Sequence, residues 1–491
     1  MIDNQHMINL LRTIALLFTT SLKSGNSIQP SQINRSCRMN LAASSSTTSM
    51  GAASQLKVCV IGSGAAGLVT ARVLKRNGIQ PLVLEQDSEF GGVWTYEANS
   101  KKKPMYKGLR TNLPREIMAF RELPWGGDGT TRSFVTHKEV KNYLSRYAKA
   151  MDVENLIQYK STVTQLEVLN DNENQNQQIK LSWEQPGSKN DKQNKEQTTY
   201  SDIFDAVCVC NGHYAVSAES TIDGIDTFEG EVYHSIRYDD PSLFKNKNVL
   251  CVGGRASGSD LAREISHYAN KVYLSDTNCP NLIDGNPIRE GNVLWVPRTV
   301  EVLTKRVSFG SECKEKPEID VIILCNGYAY QFPFINERSN LDDFSAVPGE
   351  RRVKPLFEQL WHPTYPLLTF IGLQHSVVPF PFYELQAEAV VKQLIFKSKS
   401  SSCDFPQLQE RIADAERDAS SGGPNGGRIQ DTHFLGEVRY ACSLSLYVYF
   451  SLSSFDYELK ENLQLLLRST FLIVVLSCIY KAPMECVFEI C

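Results

Sequence analysis

Lys57-Val-Cys-Val-Ile61 followed by Gly62-Ser-Gly-Ala-Ala-Gly67 is a buried-strand run that reverses at once into a helical pattern. The helix reads Ala65-Ala66-Gly-Leu68-Val69-Thr-Ala71-Arg-Val73-Leu74-Lys-Arg-Asn, apolar at three-to-four-residue spacing, and Gly78 is a natural stop. A second strand, Pro81-Leu-Val-Leu-Glu85, comes next. A tight reversal at Gly62 and Gly64 leaves N–H groups free at the helix N-terminus, where a pyrophosphate binds, and Gly67 lets the helix lie close on the strand. Glu85 stands roughly 20 residues after the turn, where an acid accepts both ribose hydroxyls of an adenosine and repels a 2′-phosphate. This unit is therefore expected to take FAD or NAD rather than NADP. The glycine pair in Glu89-Phe-Gly91-Gly92-Val-Trp94 favours FAD, because it allows the backbone to approach a second stretch of an extended cofactor.

The pattern occurs twice. Asn248-Val-Leu-Cys-Val252 leads into Gly253-Gly-Arg-Ala-Ser-Gly258, a helix from Ser257 through Ile265, and a strand Lys271-Val-Tyr-Leu274. Arg255 replaces the middle glycine. Its side chain either forks around a phosphate or points to solvent. Ser275-Asp276-Thr277 at the strand end lacks the basic residue expected to grip an NADP 2′-phosphate, so the presence of a nicotinamide nucleotide is better specified than the choice between NADPH and NADH. Two such units predict an α/β fold with two Rossmann-like dinucleotide-binding domains.

Between the turns lies Phe228-Glu-Gly230-Glu-Val-Tyr-His234-Ser-Ile-Arg-Tyr238. With this linker the chain, from about Leu56 to about Leu435, resembles the flavin-containing monooxygenases, whose pattern Phe-x-Gly-x-x-x-His-x-x-x-Tyr is met by Phe228, Gly230, His234 and Tyr238. Cys210-Asn-Gly212-His213-Tyr and Leu324-Cys-Asn-Gly327-Tyr328 look like the family's two chain crossings between domains, and Gly108-Leu-Arg-Thr111-Asn112-Leu-Pro114 and Glu384-Leu-Gln386-Ala387 resemble its segments near the flavin. The related Baeyer–Villiger ketone oxygenases usually end the linker in Trp, where this chain has Tyr238, which favours heteroatom oxygenation.

The resemblance implies FAD and NADPH as cofactors, with an NADP domain inserted in the FAD domain. It also implies a cycle in which oxygen adds to the reduced flavin at C4a and the hydroperoxide oxygenates an amine or sulfide. Gly62, Gly64, Gly67, Glu85, Gly92, Trp94, Thr111 and Gln386 would hold FAD, while Gly253, Arg255, Ser257 and Gly258 would hold the nicotinamide nucleotide. Asn112, at the place of the family's flavin-edge asparagine, is the candidate catalytic residue, since a neutral amide donates hydrogen bonds without an acidic proton. His234 is expected to fix the orientation of the two domains in preference to general-acid work.

Composition narrows the rest. The 491 residues carry a net charge of −4, which excludes a nucleic-acid binder, and no metal-ligand spacing occurs among the eight histidines. Of 13 cysteines, Cys59, Cys208, Cys210, Cys251 and Cys325 fall in apolar strand-like runs and read as free thiols of a reducing compartment. No CxxC exists, which argues against a pyridine-nucleotide disulfide reductase. Asn170 to Thr199 reads as an antiparallel hairpin around Ile179-Lys-Leu-Ser-Trp183, and Ser420 to Gly427 as a surface linker.

The expected layout is an extension over 1–54, the FAD domain over 55–213 and 326–436, the NADP domain over 214–325, and a divergent apolar tail over 437–491. The extension, with Ile8-Asn-Leu-Leu-Arg-Thr-Ile-Ala-Leu-Leu-Phe18, reads as a targeting segment or as an extension ahead of a later start at Met39 or Met50. Arg12 and the unpaired cysteines favour the cytoplasm. The tail, with Thr470-Phe-Leu-Ile-Val-Val-Leu-Ser-Cys-Ile-Tyr480, is too short between charges to span a bilayer and reads as a peripheral anchor to the endoplasmic reticulum membrane or as a divergent segment. A non-catalytic nucleotide-binding relic remains the alternative that the altered ends leave open.

Overall fold

Each glycine turn follows a strand that is flanked on both sides by parallel neighbours. The computed structural model describes residues 56–126, 132–170, 177–187, 197–219, 222–279, 288–310, 313–347, 351–398 and 405–420, together with His433. The targeting segment, residues 421–427 of the expected linker and the apolar tail therefore lie outside the described residues, whereas Ser420 ends the last described helix. Among those described, no helix is long and apolar enough to cross a membrane.

Strand β1 (Val58–Ile61) runs into helix α1 (Ala65–Arg76), then β2 (Leu82–Leu84), α2 (His137–Ala150) and β3 (Ile157–Gln158). Next come β4 (Thr162–Asn170), β5 (Gln177–Gln185), β6 (Thr198–Phe204), β7 (Ala206–Val209) and β8 (Val216–Ser217). The second unit contains β9 (Glu231–His234), β10 (Asn248–Val252), α3 (Ala256–Ile265), β11 (Lys271–Ser275), β12 (Ile288–Glu290) and β13 (Val293–Val296). A hairpin of β14 (Thr299–Leu303) and β15 (Arg306–Phe309) precedes β16 (Val321–Leu324). The chain returns through β17 (Tyr328–Ala329), a hairpin of β18 (Ser345–Val347) and β19 (Arg352–Lys354), β20 (Leu368–Phe370), α4 (Pro379–Ser398) and α5 (Leu408–Ser420).

The first sheet has the order β20-β7-β1-β2-β3 and the second β12-β13-β11-β10-β16-β9. All of the second sheet lies in sequence between β7 and β20, so one nucleotide-binding unit is inserted in the other. Central strands β1 and β7 are buried at every residue, as strands covered on both faces must be. That burial explains their unbroken apolar runs. The five strand-associated cysteines are buried and unpaired.

Helix α1 buries Leu68, Val69, Val73 and Leu74 in one core with Phe380, Phe382, Val390 and Val391 of α4. Arg72 adds a forked contact to Glu122, at 2.9 Å from Nε and 2.6 Å from the terminal nitrogen. Helix α2 begins in a capping box: Glu139 N donates to Thr136 Oγ1, and Thr136 N to the Glu139 carboxylate.

The expected hairpin around Ile179–Trp183 is instead a three-stranded antiparallel meander, β4-β5-β6. Its third strand was hidden because Thr198-Thr-Tyr-Ser-Asp-Ile-Phe204 exposes most of its residues, so the sequence shows no core-facing alternation there.

His433 is a buried tie at the C-terminal side. Its Nε2 accepts from Val353 N at 2.8 Å, Nδ1 bonds the Gln359 side-chain oxygen, and the ring packs edge-on against Tyr330. Burial holds its pKa down at about 3, and burial does the same to His213. Both rings are neutral in the folded protein, whereas in the unfolded chain they take protons below about pH 6.5. Their contribution to stability is thus present above that pH and is lost as pH falls towards 3. The urea midpoint should drop between pH 7 and 5.5, and His433→Gln should make that dependence shallower; an unchanged slope would show that His433 is not the buried neutral group described.

Candidate functional site

The first turn is closed by contacts that only glycine permits. Gly62 has φ +96°, and a Cβ there would lie 2.6 Å from the carbonyl oxygen of Cys210. A Cβ on Gly67 would lie 1.9 Å from the carbonyl oxygen of Gly62, so helix α1 could not seat against the turn. Glu85, buried at the end of β2, accepts from Ser63 N at 2.8 Å and Ser63 Oγ at 2.5 Å with one oxygen, and from Asp87 N at 2.9 Å with the other. Oε1, which accepts only from Asp87 N, keeps acceptor capacity for a ribose hydroxyl.

The Gly91–Gly92 pair meets the first turn directly. Gly91 N donates to Ser63 O at 3.0 Å, and a Cβ on Gly92 would lie 3.1 Å from Gly64 Cα. Two stretches of bare backbone thus face each other where a pyrophosphate would pass. Lys141 of α2 fastens this loop by bonding Phe90 O and pairing with Glu89 at 2.8 Å. Trp94 closes the loop's 3-10 turn, with its ring edge-on to Phe380.

The second turn copies the first. Gly253 has φ +108° and faces the Cys325 carbonyl at the same 2.6 Å, and a Cβ on Gly258 would lie 1.7 Å from Gly253 O. Arg255, at φ −72° and ψ −170°, occupies the helix-cap position that Gly64 occupies at −68° and −172°. The backbone is relaxed with a side chain there, and Arg255 is exposed at the start of α3. Ser257 stands in the first turn of that helix, half-buried.

Asn112 lies on a segment gripped from both sides. Thr111 exchanges hydrogen bonds with Val135, N to O at 2.8 Å and Oγ1 from N at 3.1 Å, which leaves the neighbouring Asn112 exposed. Just upstream, Tyr106 donates to Asp260 of α3 and packs edge-on against Tyr238. Gly108 passes so close to Glu264 that a Cβ would lie 2.0 Å from its carboxylate. Tyr238 donates to Glu264 at 2.7 Å, and burial raises the pKa of that carboxyl. The segment is thereby seated on the second unit while Asn112 is held by the first.

The other linker residues act on the crossings. Gly230 has no room for a Cβ, which would meet Asp320 O at 2.4 Å and the Phe228 ring at 2.5 Å. His234 accepts from Ile236 N at Nδ1 (3.1 Å), so its Nε2–H donates to Gly327 O at 2.9 Å. Burial lowers its pKa, which keeps the ring neutral in this role. Gln386 of α4 accepts from Gly372 N at 3.1 Å and donates to Gln374 at 3.0 Å, bracing the loop after β20. Its neighbour Glu384 is buried and accepts from Arg121 N at 2.9 Å. Asp276 was not read as a site residue from sequence. It accepts from Gly254 N at 2.7 Å as Glu85 accepts from Ser63, and the signal was the equal 22-residue interval in both units.

Residues 55–285 match the family model described as flavin-binding monooxygenase-like. The chain is 32% identical over 379 residues to the flavin-containing monooxygenase FMO GS-OX-like 2 of Arabidopsis thaliana, covering 73% of this chain and 77% of that protein. FMO GS-OX5 of the same plant is 32% identical over 401 residues, covering 78% and 82%. Among solved structures, S-allyl-L-cysteine S-oxygenase from Allium sativum superposes with a TM-score of 0.69 at 28% identity, over 81% of this chain and 88% of that one.

The paired turns can be separated by substitution. Gly67→Ala should abolish bound flavin, read as the flavin-to-protein absorbance ratio, while Gly258→Ala should retain flavin and lose nicotinamide-nucleotide binding, with circular dichroism near wild type in both. Flavin loss in Gly258→Ala alone would reverse the assignment of the two units.

Proposed function

Because the chain belongs to the flavin-containing monooxygenase family, we propose that this flavin-dependent monooxygenase uses FAD, NADPH and O2 to oxygenate soft nucleophiles, sulfides first and amines second. The arrangement of the 106–112 segment, seated on α3 of one unit and pinned at Val135 in the other, carries this reading. Asn112 follows directly on Thr111 in that segment, which supports reading it as the group that faces the bound cofactors. Gly62, Gly64, Gly67, Glu85, Gly92 and Trp94 would hold FAD, and Gly253, Arg255, Ser257 and Gly258 the nicotinamide nucleotide. Bound flavin would supply the oxygen-activating chemistry, with electrons drawn from NADPH.

The protein's own task is to bind, orient and keep out water. Asn112 offers an amide N–H as a fixed donor and no acidic proton, and Thr111 fixes the backbone from which it projects. Heteroatom oxygenation requires no protein nucleophile, and a sulfide is favoured because the Allium neighbour is named as an S-oxygenase. Buried unpaired thiols suit a reducing compartment, and we place the enzyme in the cytoplasm.

The flavin-loaded full chain, given NADPH with a thioether, a tertiary amine or a ketone in parallel, should form sulfoxide and N-oxide and leave the ketone intact. Ester from the ketone would overturn the heteroatom assignment, and absence of bound flavin would leave the nucleotide-binding relic. Asn112→Leu should cut sulfoxide formation on the order of 100-fold, the scale of losing one positioned donor. NADPH oxidation should continue with peroxide release, separating a loss of oxygen transfer from a loss of reduction.

A further inference from the structure

The acid at the end of the second strand is built alike in both units. In the first, Ser63 N donates to Glu85 Oε2 at 2.8 Å and Asp87 N to Oε1 at 2.9 Å. In the second, Gly254 N donates to Asp276 Oδ2 at 2.7 Å and Asn278 N to Oδ1 at 2.6 Å. Asp is one methylene shorter than Glu, so the turn must come closer to reach it. That explains Gly254, where a Cβ would lie 2.5 Å from Oδ2 and 2.8 Å from Asp276 Cβ.

Each Asp276 oxygen accepts one backbone N–H and keeps a lone pair, in the geometry that accepts an adenosine ribose diol. A 2′-phosphate at the same place would bring a multiply charged anion against a carboxylate. Among the described residues around it, little offsets that charge. Ser275 is buried and committed: its Oγ bonds Pro297 O at 3.0 Å and accepts from Thr299 N at 2.9 Å. Residues 277–288 contain no Lys, Arg or His, and they include Asp284. Arg289 is turned towards Gly291 O, at the far end of β13 from Asp276. Arg298, exposed just past β13, is a rival, because Val296 pairs with Ser275. Arg255 lies at the turn itself, where the pyrophosphate common to NADH and NADPH would pass.

We propose that Asp276 sets nicotinamide-nucleotide preference, accepting the ribose diol of NADH so that NADH binds at least as tightly as NADPH. This rests on the reading that the inserted unit binds a nicotinamide nucleotide, and it departs from the NADPH preference that the family resemblance implies.

Isothermal titration of the flavin-loaded full chain with NAD⁺ and NADP⁺ tests it without turnover. NAD⁺ should bind as tightly as NADP⁺ or tighter. Asp276→Asn, which keeps an oxygen for Gly254 N and with it a melting temperature near wild type, and Asp276→Ser should each shift the ratio at least about tenfold towards NADP⁺ with flavin content near wild type, a size in keeping with one charged hydrogen bond. Tighter NADP⁺ binding by wild type, abolished in Arg298→Ala, would overturn the proposal by assigning the 2′-phosphate to Arg298. An unmoved ratio in both Asp276 variants would reduce Asp276 to a brace of the turn. Binding of neither nucleotide would overturn the proposal together with the reading of the unit, whereas the first two results leave that reading intact.

Discussion

At each glycine turn the backbone passes within contact distance of a carbonyl at the end of the neighbouring strand, Gly62 against Cys210 and Gly253 against Cys325. Those cysteines begin the two crossings between sheets, and each is followed by Asn-Gly with the glycine in the left-handed region, Gly212 at φ +73° and Gly327 at +87°. The turn that would hold a nucleotide therefore rests on the residue where the chain leaves its sheet. Displacing one moves the other. Burial raises the thiol pKa of Cys210, and a hydrogen bond with Cys251 followed by burial raises that of Cys325, as befits small apolar fillers beneath Gly67 and Gly258.

The crossings are tied to each other as well. Strands β8 and β17 pair antiparallel, Ala218 N donates to Gly327 O at 3.0 Å, and Asn326 Nδ2 donates to Ala218 O at 2.8 Å. His234 adds its Nε2–H to the same Gly327 carbonyl. One oxygen thus receives bonds from the first crossing and from the edge strand of the inserted sheet. A neutral imidazole suits this better than a charged one, because among the described residues no carboxylate pairs with it to offset the desolvation of a buried cation. The linker histidine in this arrangement sets how the two sheets meet, and through Tyr238, Glu264 and Gly108 the same linker reaches the segment that carries Asn112.

Much of this frame was legible in the sequence, for physical reasons that differ by element. β1, β7, β10 and β16 announce themselves because strands buried on both faces must be apolar throughout. The turns announce themselves because steric contact leaves glycine alone at 62, 67, 253 and 258. Tertiary contacts were not legible. Nothing in local pattern says that Tyr106 will reach Asp260, that β6 will add a third strand beyond a polar loop, or that His433 will fill a core beside Tyr330. Each of these depends on residues far apart in sequence whose side chains carry no periodic signal.

Asp276 lies between these cases. Its interval from the turn matches that of Glu85, yet the eye looks there for a base and registers its absence. In both units the acid first serves the fold: it neutralises a turn N–H that would otherwise point unpaired into the sheet's end, at a cost of about 1–3 kcal/mol for a buried unsatisfied group. Because the same oxygens face the place where an adenosine ribose would lie, the brace and the ligand are one group. An arginine at 276 would bring a cation to the 2′ position and remove the acceptor of Gly254 N together. Preference for the nucleotide and integrity of the turn are consequently coupled at this position. A change in preference that leaves the turn intact must either keep an acceptor for Gly254 N, as asparagine at 276 would, or come from a neighbour that does not bond the turn.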